Sequence, residues 1–162
     1  MQDLVFSSLI FIFVFLPITI LIYYIAPKKL KNLALFIASL IFYAWGEPIY
    51  ITIMLFSTVF DFFNGLAIEK YRVSKAILIN SLVINLGLLG FFKYSSFFVE
   101  NFNSLFNLSI QWESLPLPLG ISFYTFQTLS YTIDVYLNKV NVQRNIISFG
   151  TYVTMFPQLV AG

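Results

Sequence analysis

The chain has 162 residues, 59% hydrophobic and 10% charged, with a mean hydropathy of +0.87 and a net charge of +2. A soluble domain carries about 25% charged residues, so this balance points to an integral membrane protein, and the small net charge gives no footing for nucleic acid. With neither Cys nor His, disulfides, thiolate chemistry, imidazole acid–base catalysis and imidazole metal ligation are excluded within these residues.

An apolar chain in lipid must satisfy its backbone internally, which predicts helices. Leu4–Ile25 is a first apolar run, interrupted by Ser7, Ser8, Pro17, Thr19 and two tyrosines. As a helix it reaches roughly 33 Å, enough to span. It reads as an uncleaved span, because Asp3 stands where a signal peptide needs a basic residue and Ala26-Pro27 is a poor cleavage site. Leu33–Trp45 is apolar but short. It crosses only if its helix starts near Lys28 and the lysines snorkel; a re-entrant half-helix is the alternative. Gly46-Glu47-Pro48 breaks the chain, with Pro48 suited to a first helical position. Tyr43, Trp45 and Tyr50 flank that break as an interfacial aromatic belt would.

Ile49–Ile68 is a second full span. Asp61 and Asn64 lie toward its far end, and Asp61 is read as sitting near the headgroups, close to Glu69 and Lys70, with an intramembrane polar role as the alternative. Ala76–Phe92 is the next span, in which Asn80 and Asn85 can bond neighbouring helices and Gly87 and Gly90 permit close approach. Lys93–Ser114 mixes Tyr94, Phe97, Phe98, Phe102, Leu105 and Phe106 with polar residues, the pattern of a helix lying in the interface, with Asn107–Ser114 a polar loop.

Leu115–Tyr136 is the least apolar stretch long enough to cross. Pro116 and Pro118 forbid regular helix up to Gly120, and a helix follows from Ile121. At 100° per residue Gln127, Ser130 and Asp134 share one face, with Phe123 on it and Tyr131 near it. Polar groups at membrane depth need a partner or a wet cavity. Gln127, Ser130, Tyr131 and Asp134 are therefore candidates to line a polar tunnel, with plain helix–helix hydrogen bonding as the alternative. Leu137–Asn145 is polar, and Ile146–Gly162 begins another apolar segment in which the sequence ends, so it reads as a fragment.

The charges make a topology test. Loops Lys28–Asn32, Glu69–Lys75 and Leu137–Asn145 hold eight of the nine Lys and Arg residues. Placing all three in the cytoplasm puts the N-terminus and Lys93 outside, and two helices then lie between the first pair of loops. The expected fold is all-α: a multi-pass membrane bundle forming a partial ring, with short interfacial or re-entrant helices, in a single transmembrane region over residues 1–162.

Three blocks carry a resemblance: Phe42-Tyr-Ala-Trp-Gly-Glu-Pro48, the stretch from Pro118 to Tyr136, and Tyr152-Val-Thr-Met-Phe-Pro-Gln-Leu-Val-Ala-Gly162. With the opening Val5-Phe-Ser-Ser8 they resemble the N-terminal part of bacterial membrane-bound O-acyltransferases, most closely the type that O-acetylates alginate and more distantly the type that transfers D-alanine to teichoic acid. The resemblance implies a ring of membrane helices around a thinned centre in a multi-pass protein of the bacterial cell membrane. It implies an acyl group, of acetyl type, passed from a cytoplasmic thioester donor such as acetyl-CoA, with no cofactor held permanently. It also implies an extracytoplasmic acetyltransferase partner and a polysaccharide acceptor. The family's catalytic residue is a membrane-embedded His, which maps onto no residue here, so no catalytic residue is expected in this stretch and the fragment alone is expected to be inactive. A transporter or flippase, and a structural membrane subunit, are the competing readings. A transporter predicts repeat symmetry between halves, and no internal repeat is seen.

Overall fold

The computed structural model describes residues 8–71, 74–112, 116–118 and 120–161, the side chains of 159–161 excepted. The opening motif residues Val5 to Ser7, and Arg72 of the second basic loop, lie outside the described residues. The described residues form helices and connecting turns, with no strand among them.

A π-helical turn, Phe11–Phe15, runs into α1 (Leu16–Ile25); then follow α2 (Lys31–Gly46), α3 (Ile51–Lys70), α4 (Lys75–Phe106), α5 (Ile121–Tyr136), α6 (Ile146–Thr154) and α7 (Phe156–Ala161). The π turn has a local cause. Pro17 lacks an N–H and its ring would crowd the carbonyl four residues back. Just before it, the Leu16 N–H donates to the Phe11 carbonyl five residues away, which is the wider π pattern.

Two helices, α3 and α4, are long and apolar enough to cross a membrane; the π turn with α1, and α2, are apolar but shorter. Helix α2 starts at Lys31 and covers about 24 Å. Pro48, expected at a first helical position, does not open α3. It sits in the preceding turn, where the Thr52 hydroxyl donates to the Ile49 carbonyl at 2.7 Å and α3 begins at Ile51.

One expectation about the helices is corrected. Lys93–Phe106 is not a separate interfacial helix: α4 runs unbroken through 32 residues. No Pro interrupts it, Gly90, Ser95 and Ser96 near the junction do not break it, and Lys is a good helix former. The helix ends instead at Asn107, whose left-handed backbone (φ 49°) caps it. Asn103 then clasps Ile110 through both ends of its amide. The last apolar segment forms two short helices. It breaks at Met155, because Pro157 has no N–H to give and would clash with the Val153 carbonyl.

Helix α5 packs against α3 and α4, and α6 against α2 and α3. One core cluster joins Tyr43 of α2, Met54 and Phe62 of α3, Leu89 of α4, Ile121 and Tyr124 of α5, and Phe149 and Val153 of α6. The three sequence blocks behind the family resemblance thus share one core. At one end of the bundle the basic loops meet. Asn32 donates to Ser148 at 3.0 Å and its carbonyl accepts from Thr151 at 2.9 Å, while Arg144 pairs with Glu69 at 3.2 Å. These contacts bring the start of α2, the end of α3 and the start of α6 together.

Candidate functional site

Helix α5 starts after Gly120, whose φ of 69° lies in the left-handed region that glycine enters without penalty. The Ile121 N–H reaches the Pro118 carbonyl across this turn. The buried side of α5 is Ile121, Tyr124, Thr125, Thr128, Leu129, Thr132 and Val135, at helical spacing. Two of its threonines need no outside partner. Thr128 donates to the Thr125 carbonyl and Thr132 to the Thr128 carbonyl, so small β-branched side chains fill the seam with their hydroxyls satisfied on their own helix. Among the described residues, two buried hydroxyls lack a hydrogen-bond partner, Tyr124 Oη and Thr154 Oγ1.

The four residues selected from the sequence fall in three places. Gln127, half-buried, donates to the Tyr152 carbonyl at 2.6 Å and to Gln158 at 3.1 Å, binding α5 to α6 and α7. Ser130 is exposed and donates to the Gln127 carbonyl. Tyr131 and Asp134, both half-buried, come together on a cleft of about 350 Å³, with Asn141 and Gln143 from the α5–α6 loop and Ser148, Phe149 and Tyr152 from α6. The Tyr131 ring packs on Phe149 at 4.6 Å between centroids, and its hydroxyl accepts from the Gln143 N–H at 3.0 Å. It also lies against α3: a Cβ added to Gly65 would stand 2.8 Å from the Tyr131 hydroxyl, so any larger residue there requires the ring to shift. The cleft is at the end of α5 where the basic loops gather. Its acidic and amide groups offer hydrogen bonds without a metal-binding set, since no such cluster of ligands occurs among the described residues.

The most enclosed polar cluster was assigned differently from sequence. Asp61 does not sit among headgroups beside Glu69 and Lys70. It is 0% exposed, with α4 covering it. Ser81 donates to one carboxylate oxygen at 2.6 Å, with Asn64 at 3.4 Å; Asn85 donates to the other at 2.7 Å and accepts from Ser57 at 2.7 Å. Asn85 thus makes the interhelical bond expected of it, while Asn80 is exposed. The sequence signal was available. Ser57, Asp61 and Asn64 are spaced four and three apart on α3, and Ser81 and Asn85 four apart on α4, so each set forms one row on its helix.

Comparison with known proteins gives a consistent picture. The chain is 39% identical to the probable alginate O-acetylase AlgI of Pseudomonas aeruginosa, over 98% of the chain and 32% of that protein. It is 38% identical to the protein of the same name from Azotobacter vinelandii, over 98% of the chain and 34% of that protein. It is 34% identical to the peptidoglycan O-acetyltransferase of Helicobacter pylori, over 98% of the chain and 36% of that protein. The chain therefore spans about a third of the length of the curated relatives it matches. No protein-family model matches it, and no solved structure does.

Proposed function

We propose that this chain, a member of the O-acetyltransferase family to which those relatives belong, is part of a membrane-bound O-acyltransferase and builds one wall of its acyl-transfer passage. The observation that carries this reading is similarity at 34–39% identity along 98% of the chain to proteins named as O-acetylases and O-acetyltransferases. The shared core of the three motif blocks supports it, because residues that mark the family also hold this bundle together.

In the proposed enzyme, an acetyl thioester such as acetyl-CoA delivers its acyl group from the cytoplasm. The acyl carbon leaves sulfur for a hydroxyl oxygen, the thiol departs, and the group reaches a polysaccharide through an extracytoplasmic acetyltransferase partner. The family's catalytic His matches none of these 162 residues, so this stretch positions and encloses and does not perform the transfer. Several helices cross the bilayer, the three basic loops face the cytoplasm, and the N-terminus lies outside. The Tyr131–Asp134 cleft then opens on the donor's side, and Gln127 holds α6 and α7 against the passage.

The test is deletion of the full-length gene and complementation, with the O-acetyl content of the exopolysaccharide and of peptidoglycan as readout. Loss of O-acetyl groups from one polymer on deletion, restored by the gene, is expected. Unchanged acetylation of both would end the reading.

A further inference from the structure

We infer that the trough between α1 and α2 is a binding site for one acyl chain of an anionic phospholipid, whose phosphate is met by Lys28, Lys29 and Lys31. This inference rests on the membrane reading above. The trough has a volume of about 550 Å³ and an almost wholly apolar lining. Its shape follows from sequence. Ile10, Val14, Ile18 and Ile22 stand four apart on one helix, while Ala34 and Ala38 stand four apart on the other and leave room where larger residues would close the gap. Phe15 and Phe42, locked with Phe11 and Phe156 into an aromatic cluster, line its deep end.

Its other end is basic. The turn between the two helices carries Lys28 and Lys29, both exposed. Lys31 reaches back from α2 to α1, with its ammonium 4.7 Å from the centroid of the Tyr23 ring and 5.9 Å from that of Tyr24. Ala26 and Leu30 line this end of the trough, so the turn bearing Lys28 and Lys29 adjoins it; with Lys31 next in sequence and no acidic residue in the turn or in the first turn of α2, this end complements a phosphodiester with a hydrocarbon tail. Basic pockets between membrane helices recognise acidic headgroups in this manner.

The experiment uses the full-length protein, purified in detergent and exposed to phosphatidylglycerol or phosphatidylcholine, with retained lipid counted by native mass spectrometry. The expected result is one tightly held phosphatidylglycerol, preferred over phosphatidylcholine. Replacing Lys28, Lys29 and Lys31 with Gln lowers that preference roughly fivefold per lysine. Ala34→Leu with Ala38→Leu fills the trough and abolishes retention of either lipid. Should the leucine variant fail to fold, the exposed lysine variants still decide.

Equal retention of both lipids, or of neither, by protein that resists alkaline carbonate extraction overturns the site and leaves the membrane reading intact. Release of the protein by carbonate overturns the membrane reading itself. Displacement of the lipid by inorganic phosphate alone shows recognition of an anion and not of a lipid, and overturns the proposal. A cysteine at Ile37 that cross-links to another segment of the same polypeptide, or to a second copy, shows the trough covered by protein and overturns it too.

Discussion

A carboxylate shielded from water needs its lone pairs answered, and Asp61 is answered by serine and asparagine side chains, with no cation among the described groups around it. Interhelical hydrogen bonds of this kind stabilise by about 1–2 kcal/mol each at most. Removing one partner costs more than the bond itself, because the others stay buried and unpaired. Asp61→Leu is therefore expected to strand Ser81 and Asn85 and to lower the thermal stability of the detergent-solubilised protein well below that of Asp61→Asn, which keeps an acceptor for one of them. Equal melting of the two variants would mean that the α3–α4 seam does not depend on this carboxyl. Gly65→Ala is expected to cost about 1–3 kcal/mol by driving a methyl into the Tyr131 ring. In a Tyr131→Ala background most of that penalty should vanish, and a double-mutant cycle measures the difference. These residues also show what the sequence made legible. The polar face of α5 was visible from spacing alone. Its partition into a glutamine tied to α6 and α7, an exposed serine and a tyrosine–aspartate cleft was not, because neighbours distant in sequence, Tyr152, Gln143 and Gly65, decide each side chain's surroundings.

Among the elements, the hydropathy runs gave α2, α3 and α5 within a few residues, since long apolar segments between Gly, Pro and charged breaks leave little latitude. What they did not give was continuity. Charged and polar residues after Phe92 suggested a change of environment, but a helix needs no change of backbone to leave an apolar medium, and α4 continues. Three loops grouped on charge alone come together in space through Asn32–Ser148 and Glu69–Arg144. Paired cysteines at Asn32 and Ser148 should accordingly be joined by a short thiol-specific cross-linker in intact membranes, and failure to join them would disprove the packing of α2 on α6. Single cysteines at Lys29 and Asn141 should react alike, with membrane-permeant reagents only, in intact cells. Labelling of either by an impermeant reagent would place that loop outside.

For the whole molecule, Asp134 links structure to the proposed activity. It contributes a half-buried carboxyl to the cleft beside the basic loops, and its backbone carbonyl accepts from the Lys139 N–H at 2.9 Å. In the full-length protein Asp134→Leu is expected to reduce polysaccharide O-acetylation several-fold while leaving protein abundance near that of the wild type. Undiminished acetylation would remove the cleft from the passage.

Helix α4 has one more implication. Thirty-two residues make a rod about 48 Å long, against a hydrocarbon slab of about 30 Å. Leaning cannot hide the surplus, because even the steepest usual inclination of about 40° leaves the rod several ångströms taller than the slab. Set in a bilayer, one tip of α4 must stand proud. If that tip is the Phe97–Phe106 end, its row of exposed rings marks the waterline, and a fluorophore walked along those positions would find the depth at which lipid gives way to water.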